Sequence, residues 1–137
     1  MKKIYAASVI LLVMVSLAAC GGSGQSADLD GTSWLLVAYG GSAPIGMTMP
    51  TLAFQDGQVS GNASCNSFGG SFEVTGDRLS FGPMFMTEMF CMDPEGVMDQ
   101  EGLYLQMLGS VERFEISDGQ LVLFTASGDT LNFIPAE

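Results

Sequence analysis

The chain has 137 residues, carries a formal charge of −11 and contains no histidine. The missing histidine excludes Ser-His-Asp and Cys-His nucleophile arrangements and histidine metal sites. The acidity argues against nucleic acid as a partner, and the length fits one domain with a real core.

Lys2 and Lys3 open the chain as a short positive region, and an apolar run follows from Ile4 to Ser16. That run is shorter than the roughly 20 residues of a membrane span. It leads into Leu17-Ala18-Ala19-Cys20. The order and spacing resemble a bacterial lipoprotein signal peptide, in which Cys20 is acylated and becomes the mature N-terminus. An ordinary signal peptide with small residues before a cysteine is the alternative. On the first reading, residues 1–19 are removed and residues 20–28 form a lipidated tether rich in glycine and serine. Such a coil reaches roughly 15 Å, and two acyl chains make a stable anchor. The expected location is the cell envelope, with the protein held on a membrane by its N-terminal lipid. Gly21, where an aspartate would retain the protein, points to the outer membrane facing the periplasm if the cell has one. Otherwise the outer face of the cytoplasmic membrane is expected. Removal of residues 1–19 takes both lysines and no acid, so −11 becomes −13 and only Arg78 and Arg113 are positive.

Residues 29–137 read as one domain of short strands broken by turns. Ser33 to Tyr39 is apolar on both faces, as in a central strand. Thr51–Phe54 and Gln58–Ser60 flank Asp56-Gly57, a hairpin signal. Ser71–Thr75 alternates and turns at Gly76-Asp77 into Arg78–Phe81. Phe114–Ile116 turns at Asp118-Gly119 into Leu121–Phe124, and a further turn leads into Leu131–Phe133. Asp-Gly-Gln occurs at both 56–58 and 118–120, the same turn chemistry used twice. One segment differs. Asp93 as N-cap and Pro94 at the first helical position predict a helix start, and Gly109 predicts its end. Between them Val97, Met98, Glu101, Tyr104, Leu105 and Leu108 follow at helical spacing, with Glu101 as an acidic exception. The predicted class is α+β, mainly antiparallel β: a small curled or barrel-like sheet with one helix packed on it.

Besides Cys20, two cysteines remain, Cys65 and Cys91. An oxidising envelope favours a disulfide between them, and two packed free thiols are the alternative.

Three stretches carry a family resemblance. Leu29-Asp30-Gly31-Thr32-Ser33-Trp34-Leu35-Leu36 resembles the opening L-x-G-T-x-W-x-L of the META domain, found in the HslJ-type heat-shock lipoproteins. Leu52 to Gly70, with Gly61-Asn62-Ala63-Ser64-Cys65-Asn66 at its centre, is similar to the family's L-x-F-x-x-G-x-x-x-G-x-x-x-C-N-x-[FY]-x-G. Thr87-Glu88-Met89-Phe90-Cys91 resembles T-x-M-A-C, with Phe90 in place of alanine. The resemblance implies that Cys65-Asn66 lies on a tight turn facing the Cys91 loop, with Gly61, Asn66 and Gly70 as motif turn residues. It also implies a setting of heat or envelope stress.

No phosphate-cradling glycine loop, nucleophile elbow or recognisable acid/base pair occurs, so a non-enzyme without a cofactor is expected. The methionines stand out. Met84, Met86, Met89 and Met92 lie beside Cys91, and Met47 and Met49 form another pair. Soft thioethers at Met86, Met89 and Met92 suit Cu(I), while adaptable apolar filling or contact is the plainer reading. Met84, Phe85, Met86, Met89 and Phe90 are the candidate partner-binding residues, since an exposed apolar patch marks a binding site. The function expected is a monomeric, lipid-anchored binding protein that contacts an envelope protein or apolar ligand. A small inhibitor or Cu(I)-binding lipoprotein is the alternative.

Overall fold

The computed structural model describes residues 28–137. The expected lipoprotein signal, Cys20 and the expected tether up to residue 27 lie outside the described residues.

The described residues form nine strands and one helix: β1 (Thr32–Tyr39), β2 (Thr51–Gln55), β3 (Gln58–Asn62), β4 (Ser67–Thr75), β5 (Arg78–Phe81), β6 (Phe85–Met86), α1 (Val97–Gly109), β7 (Val111–Ser117), β8 (Gln120–Thr125) and β9 (Thr130–Pro135). Their order is β3-β2-β1-β9-β8-β7-β5-β4-β6, and a further β3–β4 pairing closes eight of them into an antiparallel barrel. Closure removes the exposed edges that a flat sheet of this size would leave. The thinnest joint is β5–β7, where one residue pair, Arg78 with Arg113, is in register. β6 lies outside the ring, on β4 beyond the end of β5.

Alternation fills the barrel. Leu52 and Phe54 point inward from β2, Leu121 and Leu123 from β8, and Leu131 and Phe133 from β9. β1 was expected to be buried on both faces. Its outer face is only half-buried, because a closed barrel has one dry side. A register shift between Leu36 and Ala38 explains why its inward residues are Trp34, Leu36 and then Tyr39. The two Asp-Gly hairpins share one geometry. Asp56 and Gly57 have φ of 52° and 73°, and Asp118 and Gly119 have 52° and 74°. Two successive positive φ values suit a two-residue hairpin turn.

The helix closes one barrel end. Tyr104 and Leu108 are fully buried, and the Tyr104 hydroxyl donates to the Thr51 carbonyl where β2 starts. Leu29 is buried near the opposite end, where the Gly31 N–H donates to the Phe54 carbonyl. Among the described residues the core thus runs from Leu29 to Phe133.

Two expectations are corrected here. The helix starts at Val97, not at Asp93-Pro94, because Gly96 before it sits at φ 86° in the left-handed region and ends any helical path from upstream. Gly109 is its last residue, with Ser110 as C-cap. Gly61 and Gly70 are strand residues, on β3 and β4, and do not belong to the turn. Their missing side chains have a packing reason. A Cβ on Gly61 would strike the Thr51 carbonyl and the Phe68 ring, and one on Gly70 would come within 3.0 Å of the Pro83 carbonyl. Glycine here allows close approach of neighbouring backbone.

Candidate functional site

The β3–β4 connection is the turn Ala63–Asn66, closed by an Ala63 N–H bond to the Asn66 carbonyl at 2.7 Å. Ser64 holds φ at 119°, an unusual value for a non-glycine residue. Its N–H donates to the Asn62 side chain at 2.9 Å, the local pairing by which an asparagine stabilises a turn.

Glu101 of α1 reaches this turn from below. Its carboxylate accepts the Cys65 N–H at 2.9 Å, the Asn66 N–H at 2.6 Å and the Asn66 Nδ2 at 2.6 Å. Asn66 and Glu101 are both buried. A buried carboxylate is tolerated where several donors replace its water shell, and three do so here. The neighbouring Gln100 forms a second buried hub. Its Oε1 accepts the Ile45 N–H at 2.7 Å, and its Nε2 donates to the Ser64 hydroxyl at 2.8 Å and the Thr48 carbonyl at 3.0 Å.

The Asn66 carboxamide then grips the segment after β5. Its Oδ1 accepts from the Thr87 hydroxyl at 2.8 Å and the Met89 N–H at 2.7 Å, and its Nδ2 donates to the Met89 carbonyl at 2.9 Å. One side chain thus serves both backbone groups of Met89, as a strand partner would. Two residues on, Cys91 is joined to Cys65 by a disulfide with Cα atoms 5.9 Å apart. Asn66, Thr87, Cys65 and Cys91 are therefore one structural device.

The segment held this way is apolar and faces solvent. Exposure is 72% at Phe85, 79% at Phe90 and 84% at Met92, and Met86 and Met89 are also exposed. Met84 differs: it is half-buried and packs against the core. Two concavities flank the segment. One, of about 350 Å³, is lined by Phe81, Met84, Phe85, Met86 and, from α1, Leu105 and Gly109. The other, of about 420 Å³, is lined by Phe90, Met92 and, from α1, Val97 and Met98. Met47 is exposed and Met49 half-buried. With the Cys91 sulfur engaged in the disulfide, a Cu(I) site at Met86, Met89 and Met92 would have thioethers alone. Among the described residues, no group of three or more histidine, cysteine or carboxylate side chains could hold a metal ion.

Glu101 and Gln100 were not predicted as site residues. The signal for Glu101 was its own anomaly, an acid on the apolar stripe of a helix. Gln100 gave none.

The structure of a protein from Burkholderia xenovorans, solved by NMR, is similar to the chain, with 32% identity over 79% of this chain and 83% of that one and a TM-score of 0.68. A second NMR structure is 24% identical over 77% of this chain and 90% of its own, with a TM-score of 0.63. The crystal structure of a DUF4847 family protein from Bacteroides vulgatus has 10% identity, covers 77% of this chain and 93% of its own, and has a TM-score of 0.59. These last two likenesses concern the fold alone. No curated protein matches. The family model of the META domain matches residues 27–137, so the chain belongs to the META domain family.

Proposed function

We propose that the protein is a lipid-anchored envelope protein that acts by binding, not catalysis, in a setting of envelope or heat stress. The segment from Met84 to Met92 is its contact surface, and the partner is a peptide or an apolar ligand. One observation carries this reading. Phe85, Met86, Met89, Phe90 and Met92 are exposed on a segment that Asn66 and the Cys65–Cys91 disulfide fix in place. Apolar side chains left this exposed gain little for the fold, and a rigid display of them lowers the ordering cost of binding.

The test is stress survival in cells carrying Phe85→Ser with Phe90→Ser, compared with Cys20→Ala, at matched protein levels. The reading expects both changes to reduce survival. Normal survival with the two serines, alongside a defect in Cys20→Ala, would show that the working surface lies elsewhere.

A further inference from the structure

The apolar segment has a charge pattern as well as a shape. Glu88, Asp93, Glu95 and Asp99 are exposed within or beside it. No lysine or arginine occurs from residue 79 to residue 112. The two arginines of the described residues sit together at the β5–β7 joint, and Arg113 is already stacked 3.8 Å over the Phe124 ring. An apolar partner segment docking here would therefore be ringed by carboxylates that pair with no lysine or arginine among the described residues.

The shape fits an extended segment. Met98, Gly102, Leu105 and Gly109 fall on one stripe of α1 by their spacing. Met98 lines one concavity, and Leu105 and Gly109 line the other. A Cβ on Gly102 or Gly109 would meet nothing within 4 Å, so the stripe is open at these two positions, while Met98 and Leu105 are half-buried. From Met98 to Gly109 the helix rises about 16 Å, the span of roughly five residues of extended chain. Methionine side chains along the rim can adapt to different apolar shapes.

From these observations we infer that the surface formed by residues 84–99 and the outer stripe of α1 takes a short cationic amphipathic peptide, in which apolar side chains alternate with lysine or arginine. The apolar side chains fill the two concavities, and the basic ones meet Glu88, Asp93, Glu95 and Asp99. The inference rests on the binding reading above and names the chemistry of its partner.

The full chain, held in nanodiscs of zwitterionic lipid, is titrated into fluorescently labelled hexapeptides of leucine alternating with lysine, serine or glutamate. Anisotropy is read at low and moderate salt. The lysine peptide is expected to bind at least about tenfold tighter than the serine one, and the glutamate peptide not at all. Phe85→Ser with Phe90→Ser should weaken the lysine peptide by about tenfold or more. Glu88→Gln with Asp93→Asn and Glu95→Gln should erase its advantage over serine. All these positions are exposed, and a thermal melt checks each variant; if a combined variant is unfolded, Phe90→Ser and Glu95→Gln are measured alone. Equal binding of the lysine and serine peptides, lost with the phenylalanines, would overturn the cationic preference and leave the binding reading standing. Lysine-peptide binding indifferent to Phe85 and Phe90 would overturn the site, as generalised attraction to an acidic barrel. No binding of any peptide would overturn the inference, while survival of the serine variants under stress judges the binding reading separately.

Discussion

The carboxylate of Glu101 meets both the backbone N–H and the side-chain Nδ2 of Asn66, each at 2.6 Å. The Asn66 side chain uses its remaining capacity on Thr87 and Met89. A helix carboxylate, a turn and a surface segment thus form one chain of hydrogen bonds, and this chain decides where the exposed phenylalanines and methionines stand.

Glu101→Gln tests that chain with little change of shape. The glutamine oxygen can serve one side of the contact, but its NH2 would face a second donor. A loss of roughly 2–3 kcal/mol in unfolding free energy is expected, as for hydrogen bonds to a buried charge. Glu101→Ala leaves three buried donors without an acceptor and should cost more. Chemical denaturation measures both, and wild-type stability in Glu101→Gln would show that the carboxylate is not what holds the turn.

The Cys65–Cys91 bridge spans a sequence separation of 26. Chain-entropy arithmetic for such a loop gives roughly 3 kcal/mol. Cys65→Ser with Cys91→Ser should lose about that much under oxidising conditions and resemble the reduced wild type otherwise. Equal stability of variant and oxidised wild type contradicts the assignment.

Two glycines should respond differently to alanine. At Gly61 the new methyl group meets the Thr51 backbone, which cannot step aside, and the Phe68 ring in the core. About 2 kcal/mol or more of destabilisation is expected. At Gly69 the three atoms nearest the methyl group all belong to the Phe85 ring, 2.6 Å at its tip, and that ring is exposed. Gly69→Ala should stay within about 1 kcal/mol of wild type while displacing Phe85, visible as changed ring resonances in NMR.

Burial pushes the Tyr104 phenol well above its ordinary value. The unfolded chain would therefore release this proton above about pH 10, while the folded chain keeps it. The stabilising contribution is complete below that pH and is lost as pH rises beyond it. Alkaline unfolding is expected to shift to higher pH in Tyr104→Phe, which lacks the ionisable group. The same alkaline profile in both proteins would assign the transition to another group.

The strands and hairpins were largely legible in the sequence. Alternation in Thr51–Phe54, Leu121–Phe124 and Leu131–Phe133 survives because a barrel has one dry face, and Asp-Gly marks two turns of identical geometry. The first half of β4 was not legible. Phe68-Gly69-Gly70 reads as a turn until one sees that Phe85 and the Pro83 backbone press on those glycines from β6 and the segment before it. The helix start was misplaced because Asp93-Pro94 carries local capping chemistry that tertiary context overrides, with Gly96 set in the left-handed region before Val97. The cysteines, Asn66 and Thr87 were visible as motif residues. Glu101 was visible only as an irregularity, since its role depends on a turn far away in sequence.

On the function proposed above, the Met84–Met92 segment is the contact surface. A photo-crosslinking amino acid placed at Phe90 in the full-length protein, in its own envelope, tests it most directly against the same probe at Glu112, an exposed position on β7. Discrete adducts are expected at position 90, enhanced under stress, and none at 112. Adducts of equal yield at both positions, or none at 90, would contradict it.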